Sequence, residues 1–225
     1  MTDYTLYYWP IPFRGHFIRY ALACAEATWD EPATDALTSL KSRAPGDQPY
    51  PFMAPPLLVD HENGRSLSQM PAILMYLARC HELVVDPDRD LRLICDASDV
   101  LFEITRHHGA TLWDDDSWAD FTATRLPRWM QVHEVLVRAT GGDFLDGGHE
   151  PMLGDLVLAA LWHTMTDRLP PLRPLLQTHA PATSDLADRV AAVPTVAAML
   201  AGWADRRPLY CAGQIEESLC QVLRI

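Results

Sequence analysis

The chain has 225 residues with 30 acidic and 18 basic side chains, a formal charge of -12, which argues against the Lys and Arg clusters that nucleic acid requires. Its 48% apolar content supports either two small cores or one larger one. Five scattered cysteines without a Cys-x-x-Cys pair suggest neither a disulfide framework nor a zinc site, and no apolar run approaches the roughly 20 residues that cross a bilayer. A cytoplasmic protein without membrane contact is therefore expected.

Residues 4–9 are rich in Tyr, Thr and Leu and stop at Pro10, which predicts a strand. From 16 to 27 the apolar residues Phe17, Ile18, Ala21, Leu22 and Ala25 recur at helical spacing, and 29–32 break the pattern. Residues 34–50 predict a weak helix and then a loop. Residues 56–60 form a second strand that enters a tight hairpin at Asn63-Gly64, with a third strand over 65–67. Ser68 caps the next helix, whose first turn tolerates Pro71. Asp86-Pro87-Asp88 punctuates the chain, and beyond it only helical periods appear, over 91–105, 118–140, 153–169, 185–193 and 195–203. A mixed α/β part (1–84) followed by an all-helical part (89–225) predicts two domains.

This order, together with local motifs, resembles the glutathione transferase superfamily. Tyr4-Thr5-Leu6-Tyr7-Tyr8-Trp9-Pro10 and the following Arg14-Gly15 are similar to the first strand and helix start of the tyrosine-type sigma, mu and pi classes. Residues 51–60 resemble the family's cis-proline segment, and 67–78 its Gln-Ser helix start. Leu126-Pro127-Arg128-Trp129-Met130, residues 154–159 and 189–194 resemble helical-domain signatures of bacterial members. The resemblance implies a thioredoxin-like N-terminal domain that binds glutathione, an all-α C-terminal domain, and a homodimer.

Carried over residue by residue, the family's catalytic tyrosine falls on Tyr8. Tyr7 is its competitor, but strand alternation points it to the opposite face. Arg14 and Lys41 join the glutathione site, Lys41 for the glycine carboxylate. The cysteinyl unit pairs with backbone before a cis-proline: if Pro56 is cis, Pro55 supplies only a carbonyl, and if Pro55 is cis, Ala54 supplies both groups. Gln69 and the helix start at Met70 face the γ-glutamyl end. Asp99, with Asp96 as rival, resembles the acidic residue that reaches glutathione across the dimer. Trp9, Phe13, Phe102, His107 and Trp113 border the second-substrate pocket, expected to be apolar. No metal is expected, His107 and His108 beside Asp114, Asp115 and Asp116 reading as a solvated loop. Cys24 is expected in the core.

Three departures stand out. Ile11-Pro12-Phe13 lengthens the loop beside the reactive sulfur, Met70 replaces the family's serine, and Met152 replaces a Ser or Thr cap, costing about 1 kcal/mol. The expected function is glutathione conjugation to a small electrophile. Glutathione-dependent isomerisation or biosynthetic thiol addition is the second reading, and a non-catalytic ligand carrier the third.

Overall fold

The computed structural model describes residues 2–225. β1 (Tyr4–Tyr7) lies inside a four-stranded sheet ordered β2-β1-β3-β4. It runs parallel to β2 (Trp29–Asp30) and antiparallel to β3 (Leu57–Asp60), which pairs with β4 (Arg65–Ser68) at the edge. Between them lie α1 (Phe13–Cys24) and α2 (Thr34–Lys41), with a 3-10 turn at Pro45–Asp47, and α3 (Met70–Cys80) follows β4. This is a thioredoxin-like arrangement. β2 escaped the sequence reading because a two-residue strand has no measurable alternation.

The hairpin is looser than Asn63-Gly64 suggested. Four residues separate β3 from β4, with Gly64 at φ +60 and the Asp60 carboxylate accepting from the Asn63 N–H at 2.8 Å. Ser68 is not the cap of α3. It ends β4, and the cap position belongs to Gln69, which makes no side-chain capping bond.

The rest is helical: α4 (Pro87–Ile104), the short α5 (Arg106–Gly109), α6 (Asp115–Asp120), α7 (Leu126–Arg138), α8 (Leu153–Arg168), α9 (Arg173–His179), α10 (Pro181–Ala191), α11 (Pro194–Ala201) and α12 (Gly213–Leu223). The expected 118–140 helix is one path with a π-helical segment, Phe121–Arg125, between α6 and α7. Asp114 caps α6 by accepting from the Ser117 N–H at 2.8 Å, which gives the 114–116 carboxylates a place at a helix N-terminus. α9 and α12 were not anticipated.

α1 and α8 are buried along nearly their whole length, and they pack on each other. A helix apolar on all sides must lie inside, and these two join the sheet and the helical bundle into one continuous core. Cys24, half-buried, packs against that core, and its thiol is pushed up to about 11 by burial. At the start of α8, half of the expected capping arrangement survives without a Ser or Thr. The Asp155 carboxylate accepts from the Met152 N–H at 3.0 Å and the Leu145 N–H at 2.9 Å.

Candidate functional site

Register brings the sequence candidates together. Tyr7 pairs with Leu57 and Leu57 with Ser68. The next residues outward, Tyr8, Pro56 and Gln69, therefore stand side by side at one end of the sheet. The Pro55-Pro56 peptide is cis, which settles the open choice: the residue before the cis-proline is Pro55, with a carbonyl but no N–H to offer. Ala54 is exposed beside it. Gln69 is exposed at φ +73, a conformation that side chains other than glycine rarely adopt and that tends to persist at functional sites.

Alternation assigns the tyrosines as expected. Tyr8 belongs to the core between the sheet, α1 and the helical domain, whereas Tyr7 and Trp9 pack on Leu37 and Phe52 on the other face. Lys41 approaches Trp9 there, its Nζ 5.9 Å from the ring centroid.

The Tyr8 hydroxyl faces the backbone N–H groups of Arg14 and Gly15, the open first turn of α1. Burial pushes its pKa up to about 12, although Arg14, Arg19 and those N–H groups pull the other way. Tyr8 is consequently a neutral donor at pH 7. Gly15 makes this approach possible, because a Cβ there would lie 2.4 Å from Tyr8 Cδ1. Arg14 is lowered by burial and shares its field with both Tyr8 and Tyr210.

Tyr8 is only 5% exposed, and the lengthened loop beside it is folded inward, with Ile11, Pro12 and Phe13 all buried. The buried Arg19 guanidinium is its anchor. It donates to the Ile11 carbonyl at 2.8 Å, to His16 Nδ1 at 3.0 Å, and to both Glu31 oxygens at 2.8 and 2.7 Å, with the Trp203 ring 4.1 Å away. His16 is held well below its ordinary pKa by burial and the nearby Arg19. A lone arginine in the apolar run Phe17-Ile18-Arg19-Tyr20-Ala21 was the available signal for this hub.

The C-terminal segment closes the other side. Arg168 donates to the carbonyls of Trp203, Ala204, Arg206 and Leu209, while the Glu216 carboxylate accepts from the N–H groups of residues 209–212. Burial alone would raise Glu216, but those four N–H groups hold it below the usual range. The segment seats Tyr210 edge-on against Phe13, with ring centroids 5.7 Å apart. Neither clamp was anticipated from sequence, because its partners are backbone atoms.

Other candidates fare differently. Met70 is 1% exposed and fills core space, so no hydroxyl stands at the start of α3. Asp99 is exposed on α4, whereas Asp96 turns into the bundle toward Arg92 (3.4 Å) and His133 (3.7 Å). Phe102 stacks on His107 at 4.7 Å, and His108 lies within the field of Arg14. Trp113 is buried, its indole N–H given to the Ile104 carbonyl at 2.8 Å; it forms the floor of a cleft rather than an exposed wall. That cleft also contains Glu103, Arg106, Asp120 and Arg125, so the expectation of an apolar pocket does not hold for it.

A thioredoxin-like sheet joined to a helical bundle is the architecture of glutathione transferases, and solved structures agree. A pi-class glutathione S-transferase of Onchocerca volvulus superposes with a TM-score of 0.73 at 21% identity, covering 89% of this chain and 93% of that one. The prostaglandin synthase D of Nilaparvata lugens superposes with a TM-score of 0.62 at 19% identity, covering 92% and 98%. No curated protein sequence matches. Residues 90–222 match the family described as glutathione S-transferase, C-terminal domain, and the chain belongs to that family.

Proposed function

We propose that this chain is a glutathione transferase of the tyrosine type, from a bacterial branch near the sigma, mu and pi classes, in which Tyr8 holds the glutathione sulfur as thiolate. The observation that carries the reading is the alignment of Tyr8, Pro56 and Gln69 at one sheet end, beside the open first turns of α1 and α3. A free thiol of pKa about 8.5 is mostly protonated at pH 7. One hydrogen bond from a neutral hydroxyl to the anion, worth about 1.5–3 kcal/mol, lowers that value by roughly one to two units. Tyr8 retains its proton for this task, and Arg14 adds positive charge beside the same atom.

The remaining contacts follow from the same end of the sheet. The cysteinyl backbone lies along Ala54 and the Pro55 carbonyl like an added strand. The γ-glutamyl carboxylate meets Gln69 and the first N–H groups of α3. Lys41 takes the glycine carboxylate. Asp99 crosses a homodimer to the amine of glutathione bound by the partner. Phe13, Phe102, His107 and Trp113 border the second substrate, whereas Trp9, expected there from sequence, lies on the Tyr7 face beside Lys41 and is assigned no such role. The proposed domains are residues 1–84 and 89–225, and the proposed compartment is the cytoplasm.

A second reading, a ligand carrier of the same fold, is favoured by Met70 filling the serine position with core and by Pro55 lacking an N–H. Calorimetric titration with glutathione decides between them. Binding at micromolar to low millimolar concentrations with turnover of a simple aryl halide supports the transferase; no heat at these concentrations retires it. Product analysis then separates conjugation from isomerisation.

A further inference from the structure

Between the end of α4 and the α6–α7 path opens a cleft of about 790 Å³, within the size range of small-molecule sites. Two backbone irregularities line it. Arg106, His107, His108 and Gly109 stand in succession at φ +48, +58, +58 and +80. For residues with a Cβ this left-handed conformation costs roughly 1–2 kcal/mol each. The surroundings impose it: Gly109 N–H donates to the Thr105 carbonyl at 2.7 Å, and Phe102 stacks on His107 and meets His108 edge-on. Opposite, Phe121–Arg125 is π-helical. Such departures gather where a chain has been shaped for a ligand.

Arg106 stands between them. Its Nε donates to Thr111 Oγ1 at 2.9 Å, and its guanidinium lies 4.7 Å from the Trp113 ring centroid. Among the described residues no carboxylate forms an ion pair with Arg106, and its two terminal nitrogens have no hydrogen-bond partner. Arg125 across the cleft is committed to Glu103, in a bidentate pair whose shortest contact is 2.6 Å. Two other carboxylates lie nearby and both are exposed to water: Asp120 lines the cleft, and Asp114, within reach of the Arg106 charge, is engaged as the cap of α6. Trp113 and Phe121, with centroids 4.9 Å apart, give the cleft an aromatic floor. The same turn that carries Arg106 and His107 into the cleft leaves His108 held below its ordinary pKa by burial and by the Arg14 charge, which relates the cleft to the side of the proposed thiol site.

We propose that the second substrate is an aromatic electrophile bearing a carboxylate, which the free fork of Arg106 receives while the ring lies against the Trp113–Phe121 floor. This rests on the transferase reading for the word substrate; the anion site rests on Arg106 alone. A planar guanidinium with both terminal nitrogens open suits a carboxylate better than a point charge would.

The test is calorimetric titration of the whole protein with 1-naphthoate and with 1-naphthamide, which differ chiefly in charge. Naphthoate is expected to bind at least about tenfold tighter, as one charge-assisted hydrogen bond allows. Arg106→Gln should bring naphthoate to the level of naphthamide, and Arg106→Lys should leave an intermediate preference. Saturating glutathione should leave the naphthoate affinity within about twofold, since the sites are separate. Equal binding of the two probes by the native protein would overturn the proposal without recourse to any variant. A preference that survives Arg106→Gln, or competition between naphthoate and glutathione, would overturn it as well. Titration with glutathione alone reads the transferase proposal separately, so the two failures are distinguishable.

Discussion

Replacing Arg19 by methionine tests the account of how the loop beside Tyr8 is held. Methionine keeps much of the volume and removes the charge. Arg19 has no exposed surface, and its guanidinium serves Glu31, Ile11 and His16 at once. Removing one member of a buried ion pair costs about 3–5 kcal/mol, because the other charge is left uncompensated. Glu31 is 25% exposed, so water recovers part of that cost. The Ile11 carbonyl and His16 Nδ1 lose their partner too, each an acceptor whose orphaning costs about 1–3 kcal/mol. A net loss of at least about 4 kcal/mol follows, and at roughly 2–4 °C per kcal/mol for a chain of this size the melting temperature should fall by at least about 8 °C. Glu31→Gln keeps an acceptor for the guanidinium and should cost less than half as much. Differential scanning calorimetry of the two variants provides the measurement. A fall under about 3 °C for Arg19→Met would mean that the loop is held by Ile11 and Phe13 packing alone, and the assignment of Arg19 as anchor would be wrong.

Tyr8→Phe should raise the pKa of bound glutathione thiol by about one to two units while changing its affinity little, and Tyr7→Phe should do neither; thiolate absorbance against pH reads both. Gly15→Ala places a methyl 2.4 Å from Tyr8 Cδ1, so thermal melts should show an overpacking loss of about 1–3 kcal/mol, with altered near-ultraviolet dichroism as the ring shifts. Met70→Ser pulls two properties apart: glutathione affinity should rise up to roughly ten- to a hundredfold, while stability falls by about 2–5 kcal/mol because Met70 is core. His16 is buried among Arg19, Arg168, His163 and Arg206 with its pKa held well below 6.5, so the unfolded chain takes up the proton first as pH falls. Its contribution is present above pH 6.5 and lost below, at up to about 1.4 kcal/mol per pH unit. Urea melts should show the native protein's advantage over His16→Asn shrinking from pH 7 to 5, and a constant difference would refute it.

What could be read from the sequence was whatever repeats or punctuates. β1, β3 and the long helices have a period, and Pro10, Pro87 and Gly64 mark ends. β2 has two residues and no period, and α5 is left-handed, which no periodicity of apolar residues encodes. The reading of Ser68 as a cap failed for a physical reason. Its hydroxyl chemistry suits the role, but β4 continues through it to pair with Leu57, and the chain turns one residue later at Gln69.

The candidate site divides along the same line. Tyr8, Pro56 and Gln69 are adjacent because two antiparallel pairings have matched registers, and a motif carries that information as residue type and order. The closure beside Tyr8 is different in kind. Arg19 reads the Ile11 carbonyl, Arg168 reads four carbonyls between 203 and 209, and Glu216 reads four N–H groups between 209 and 212. Any sequence presents the same backbone atoms, so nothing at the receiving positions announces the contact; only the charged residue betrays it, as an ion set in an apolar helix or near the chain end. The lengthened loop beside Tyr8 thus becomes intelligible through charges outside it. A buried arginine fixes the loop from α1, and a second arginine with a glutamate fixes the segment that carries Tyr210 against Phe13. The β1–α1 loop and the clamped C-terminal segment meet at the Phe13–Tyr210 contact, beside a cleft of about 490 Å³ that Tyr8 lines together with Trp203 and Arg206.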